Sequence, residues 1–127
     1  MAHRALVVDD TFHNVKLLEA RLQIAGYDVD TAFGGEEALA KAAQRRPDIV
    51  LLDIMMPGMD GYEVCRRLRA DPATAALPIV MVTALDKPSD RDEAMAAGAD
   101  DFLTKPIDEA VLLPVMRRLL AARQHAA

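Results

Sequence analysis

A run of apolar residues, Ile49-Val50-Leu51-Leu52, breaks off in a carboxylate, Asp53, and is followed by a loop with turn residues, Ile54-Met55-Met56-Pro57-Gly58-Met59-Asp60-Gly61. Unbroken apolar stretches of this length suit strands covered on both faces, as in a parallel sheet between two layers of helix. Asp53 then stands at the exposed carboxyl end of a central strand. Open α/β sheets place their ligands there, so a charge at that point reads as chemistry rather than as a polar residue that merely ends a strand.

The rest of the chain alternates in the same way. Ala5-Leu6-Val7-Val8 is a second short apolar run and ends in Asp9-Asp10, after which Val15, Leu18 and Leu22 form a helical stripe that Gly26 closes. Asp28-Val29-Asp30-Thr31-Ala32 alternates polar and apolar as an edge strand would. After Gly34-Gly35, a helix carrying Ala38, Leu39 and Ala42 inward ends before Pro47. A third helix is expected from about Gly61 to Ala70, with Tyr62, Cys65 and Leu68 inside, until Asp71-Pro72 breaks it. Ile79-Val80-Met81-Val82, ending in Thr83-Ala84, is another doubly buried strand. Pro88 to Ala97, closed by Gly98, is an Ala-rich helix with a thin apolar face and a candidate mobile element. Asp101-Phe102-Leu103-Thr104 delivers Lys105 just before Pro106. The last helix, capped by Asp108, covers the sheet with Val111, Leu112, Val115, Met116, Leu119 and Leu120. Pro114 lies beyond the first turn of that helix, which predicts a kink or a late start.

Five strands alternating with five helices predict a flavodoxin-like (βα)5 fold of the α/β class, a doubly wound parallel sheet of strand order 2-1-3-4-5. Residues 1–127 read as a single domain, either entire or as the N-terminal part of a longer protein. The sequence shows no apolar run long enough to span a membrane and no signal-peptide pattern, which predicts a cytoplasmic protein. The net charge of −5 and the lack of a basic block argue against direct nucleic-acid binding. The lone Cys65 falls among helical apolar positions and reads as a buried thiol. His3, His13 and His125 are not spaced as ligands and read as surface residues.

In this topology the switch point lies between the strands that end in Asp9-Asp10 and in Asp53, and Thr83 and Lys105 end the two strands beyond. Carboxylates about 4 Å apart repel by roughly 4 kcal/mol per pair at an effective dielectric near 20, enough to raise a pKa or to demand a cation. Hard oxygen ligands without His or thiolate favour Mg²⁺. Metal, ammonium and hydroxyl together suit a phosphoryl group in transfer, and Asp53 is the candidate nucleophile for an aspartyl-phosphate.

These motifs, Asp9-Asp10, Leu51-Leu52-Asp53 through Gly61, Val82-Thr83-Ala84, and Gly98-Ala99-Asp100-Asp101-Phe102 through Pro106, resemble the receiver domains of two-component response regulators over the whole chain. Within that family the chain is most similar to receivers of the PleD and DivK type, through Asn14, the Met-rich loop, Val82 to Asp86 and Asp101 to Asp108. The resemblance implies a signalling switch in which Asp53 accepts a phosphoryl group from the phosphohistidine of a histidine kinase or phosphotransfer protein. Asp9, Asp10, Asp53 and the backbone carbonyl of Met55 would hold Mg²⁺, Asp9 through water. Lys105 would pair with the phosphoryl group, ahead of a bond to Pro106 that is usually cis in the family. Thr83 and Phe102 match the family's switch pair, and the response would reach an output domain or partner, including through homodimerisation, by way of the fourth helix and fifth strand. The chain would then be no enzyme beyond catalysing its own phosphorylation and slow dephosphorylation. Val111 and Val115 stand where members with winged-helix outputs carry an acidic and a basic residue, and nothing after Leu120 resembles an output domain.

Other classes fare worse on single residues. A phosphatase of the haloacid-dehalogenase type needs a second Asp two positions after the nucleophile, where this chain has Met55. A flavin or dinucleotide site needs a glycine- or hydroxyl-rich loop where Asp9-Asp10 stands. A degenerate receiver, acting as an unphosphorylated adaptor, would not need the complete acid set. Met55 and Leu85, two residues beyond Asp53 and Thr83, would flank the path of a hydrolytic water and cannot orient it, which predicts a long-lived phosphorylated form.

Overall fold

The computed structural model describes residues 2–125, with the side chains of residues 2–122. In chain order the elements are β1 (Arg4–Val8), α1 (Phe12–Ile24), β2 (Asp28–Ala32), α2 (Gly35–Gln44), β3 (Ile49–Leu52), α3 (Gly61–Ala70), β4 (Ile79–Thr83), α4 (Pro88–Ala97), β5 (Asp101–Thr104) and α5 (Glu109–His125). The strands form one parallel sheet in the order β2-β1-β3-β4-β5. This is the flavodoxin-like arrangement read from the sequence.

Strand periodicity divides the core in two. Leu6, Val8, Val50, Leu52, Ile79 and Met81 face α2, α3 and α4, while Ala5, Val7, Ile49, Leu51, Val80 and Val82 face α1 and α5. Every residue of β3 is at most 1% exposed, as an apolar run covered on both sides requires. β2, with its alternating polar residues, is an edge strand. The stripe Val15, Leu18 and Leu22 of α1 is buried, as are Ala38 and Ala42 of α2 and Tyr62, Cys65 and Leu68 of α3, while Leu39 packs half-buried against the core.

Two expectations for α5, a late start at Pro114 and an inward Val111, need correction. Its helix begins at Glu109, ahead of Pro114, because Asp108 caps it: the Asp108 carboxylate accepts from the Ala110 amide at 2.9 Å. Pro114 therefore sits inside the helix and delays nothing, with its ring on the exposed side. The buried stripe is Leu112, Met116 and Leu120, spaced by four residues. Val111, turned about 100° from Leu112 by the helical repeat, is 48% exposed.

α4 is the thinly packed helix that the sequence indicated, burying only Ala94 and Ala97. Its C-terminal end is nevertheless fixed, because the Arg69 guanidinium on α3 donates to the carbonyls of Gly98 (2.9 Å), Ala75 (3.1 Å) and Leu77, and to the Asp100 carboxylate (3.0 Å). Asp100 also accepts from the Ile79 amide at 2.8 Å, so one fork ties α3, α4 and the starts of β4 and β5. Gly98 turns through φ +110°, and a Cβ there would lie 2.8 Å from Arg69 Cγ, so the glycine is required twice over.

Candidate functional site

The sheet register builds the site. Val8 pairs with Leu52, and the Asp53 amide donates to the Val8 carbonyl at 2.9 Å, so Asp9 and Asp53 leave adjacent strands side by side. Thr83 pairs with Thr104, and the Lys105 amide donates to the Thr83 carbonyl at 2.7 Å. Four strand ends thus meet, as the sequence predicted. One carboxylate oxygen from each of Asp9, Asp10 and Asp53 lies within 4.8 Å of the others, with Asp9 and Asp53 buried and Asp10 exposed.

Lys105 Nζ bridges the acids, 2.6 Å from Asp9 Oδ2 and 3.2 Å from Asp53 Oδ2. Its bond to Pro106 is cis. Burial works against the ammonium, but hydrogen bonds and charge from Asp9 and Asp53 outweigh it, and the lysine pKa lies above its ordinary value. For Asp53, burial pushes the carboxyl pKa up; the Lys105 charge opposes this, Asp9 adds to it, and hydrogen bonds from Lys105 and Thr83 draw it down without cancelling the rise. The three carboxylates of the site thus outnumber the one lysine that pairs with them. Three carboxylates without His or thiolate form a hard-oxygen set that could hold a divalent cation of the Mg²⁺, Mn²⁺ or Ca²⁺ kind.

The other predicted residues surround this cluster. Thr83 is fully buried beside Asp53, and its hydroxyl accepts from the Leu85 amide at 3.4 Å. Met55 follows Asp53 in the loop, its amide 3.4 Å from Asp53 Oδ1 and its side chain 58% exposed. Phe102 is buried in the core on the α4 side, and Leu85 packs half-buried against the same cluster. Cys65 is a buried free thiol whose pKa burial pushes up to about 11, so it lacks thiolate character. His13 is exposed and His3 half-buried, both outside the carboxylate group, and the side chain of His125 lies outside the described residues.

Three contributions escape the sequence reading. Asp9 is oriented by its neighbours, accepting from the Thr11 amide at 2.9 Å and from Asn14 Nδ2 at 3.4 Å. Asn14 also lines, with Leu17, Arg21, Pro106 and Ile107, a crevice of about 470 Å³ whose inner wall includes Asp9 and Lys105. Gly61, first residue of α3, packs on the backbone that leaves β3: its amide donates to the Ile54 carbonyl at 2.9 Å, and a Cβ would lie 2.2 Å from the Asp53 carbonyl oxygen. Gly61→Ala should therefore cost about 2 kcal/mol of stability, because backbone must move at Asp53. Melting curves within error of wild type would refute this.

The family model of the response regulator receiver domain matches residues 5–117. The chain belongs to the response regulator receiver domain family. It is 55% identical over 119 residues to the response regulator PleD of Caulobacter vibrioides, covering 94% of this chain and 26% of PleD, so it spans about a quarter of that relative. PilH of Pseudomonas aeruginosa is 41% identical over 118 residues, covering 93% of this chain and 98% of PilH. Among solved structures, the Vibrio cholerae chemotaxis protein CheY4 matches with a TM-score of 0.88 and 36% identity, over 94% of this chain and 99% of that one. In this receiver domain, no helix among the described residues is long and apolar enough to cross a membrane.

Proposed function

We propose that residues 1–127 form one receiver unit that works in the cytoplasm as a phosphorylation-activated switch, with Asp53 as phosphoacceptor and a histidine kinase or phosphotransfer protein as donor. The observation that carries this reading is the buried Asp53 carboxylate at a strand end, joined to a second acid, Asp9, by the Lys105 ammonium. An Asp53 oxygen attacks phosphorus, the P–N bond of the donor phosphohistidine breaks, and the imidazole leaves with the bonding pair.

Asp9, Asp10 and Asp53, with the backbone carbonyl of Met55, are the residues that would hold Mg²⁺. When bound, the ion supplies charge neutralisation for the acids and for the incoming phosphoryl oxygens. Lys105 turns from the two carboxylates to the phosphoryl group, and the Thr83 hydroxyl, already beside Asp53, moves toward it. Phe102 carries no phenolic hydroxyl, so its buried state leaves no polar group to satisfy. The change passes to the α4 and β5 face, where an output domain, a downstream protein or a second copy reads it. The chain catalyses only its own phosphorylation and slow dephosphorylation. An adaptor that works unphosphorylated has less support, since acids, lysine and hydroxyl are all in place.

The test is intact mass after incubation with acetyl phosphate. One added phosphate with Mg²⁺, and none after chelation, is the expected result. Uptake indifferent to chelator, or at several positions, would overturn the reading.

A further inference from the structure

The first half of α4 is attached to the domain by side-chain bonds rather than by packing. None of residues 88–93 is buried. Two side chains from neighbouring elements reach its first turns: Tyr62 of α3, whose hydroxyl donates to the Asp90 carbonyl at 3.3 Å, and Asp101 of β5, which pairs with the exposed Arg91 at 3.7 Å while Arg91 also donates to the Phe102 carbonyl at 3.4 Å. Farther along α3, at positions three and seven beyond Tyr62, Cys65 Sγ donates to the Ala97 carbonyl at 3.4 Å and Arg69 to that of Gly98. One stripe of α3 thus presents donors to the backbone carbonyls of α4 and the turn after it.

Tyr62 differs from the others in what stands behind it. Its neighbour Gly61 is in van der Waals contact with the backbone of Asp53, closer than any side chain would allow. The ring is itself buried, so its hydroxyl is held where it is. From the phosphoacceptor backbone to the first turn of α4 is a path of two consecutive residues and one hydrogen bond, separate from Thr83 and Phe102.

We propose that Tyr62 is a latch between the phosphoacceptor loop and α4, which holds the first turn of α4 in its resting place until Asp53 is modified. This rests on the switch reading above, but the latch itself exists in the unmodified protein and is measurable there. Tyr62→Phe removes the donor and keeps the ring. Amide hydrogen exchange in α4 of this variant should be about fivefold faster than in wild type, the factor expected for one ordinary hydrogen bond, with the amides of β1 and β3 unaffected. In the same unmodified variant, α4 amide shifts should move from the wild-type positions toward those of wild type bound to beryllofluoride. Exchange in α4 that is unchanged, or acceleration spread evenly through the sheet, would overturn the latch, as would shifts that stay at the resting positions. If beryllofluoride leaves wild-type α4 unmoved, the switch reading fails instead, and exchange alone decides the latch.

Discussion

Asp53→Asn is expected to take up no phosphate from acetyl phosphate and, without metal, to be more stable than wild type at neutral pH. The amide keeps the shape of the carboxyl but cannot act as the nucleophile or ionise. In wild type the folded-state pKa of Asp53 is raised, first by burial and then by Asp9, in spite of Lys105. A raised carboxyl pKa means that ionisation works against the fold. The stability associated with Asp53 is fully present below its unfolded pKa, about 4, and is lost as the pH rises through the higher folded value. The gap between variant and wild type should therefore be small near pH 3 and widen above pH 4. Adding Mg²⁺ should reverse the order, since a cation that binds only the folded wild type adds about 2.7 kcal/mol at a hundred times its Kd. Denaturant melts across pH, with and without Mg²⁺, check each part. A less stable asparagine variant at pH 7, or a gap that ignores pH, would contradict the electrostatic account.

The double variant Met55→Asn/Leu85→Glu should lose its phosphoryl group about ten to a hundred times faster than wild type, equivalent to roughly 1–3 kcal/mol of barrier. Hydrolysis needs a water in line with phosphorus on the side away from Asp53. Met55 is exposed in the loop two residues beyond Asp53, and Leu85 is half-buried against the core two residues beyond Thr83. Neither side chain can hydrogen-bond a water, so the wild type lacks the positioning that polar groups would supply. Decay followed by phosphate release in the presence of Mg²⁺ measures this directly. A double variant that decays at the wild-type rate, or more slowly, would show that these positions do not control the path.

Periodicity and chain punctuation made the fold legible, because each strand that must be covered on both faces is an unbroken apolar run. Asp53 was legible for the same reason: it is the charge that stops such a run. Its meeting with Asp9, Thr83 and Lys105 followed from strand order alone, and the register then fixed it to within one residue. What stayed hidden depends on direction rather than on residue type. Val111 fits an apolar stripe on paper, yet Leu112, Met116 and Leu120 won the face that meets the sheet. A late start at Pro114 fitted the sequence because the pattern alone does not reveal that the Asp108 cap sets the first turn ahead of it. The bonds from Tyr62 and Arg69 end on backbone carbonyls, which every residue possesses, so no partner residue marks them.

The arginine fork on Gly98 decides what kind of motion is open to α4. With its C-terminal turn clamped through Arg69 and its N-terminal turns held by single bonds, the helix has a pinned end and a light end. Such an element swings about its fixed point and does not slide along its axis. Ten residues span about 15 Å, so a swing of about 10° carries the light end roughly 2.5 Å while Gly98 stays still. The movement is then largest beside the strand ends that carry Asp53, Thr83 and Lys105, and dies away toward the opposite edge of the domain. A partner that reads α4 near Pro88 would feel the signal in full, whereas one seated at Ala97 would feel almost none.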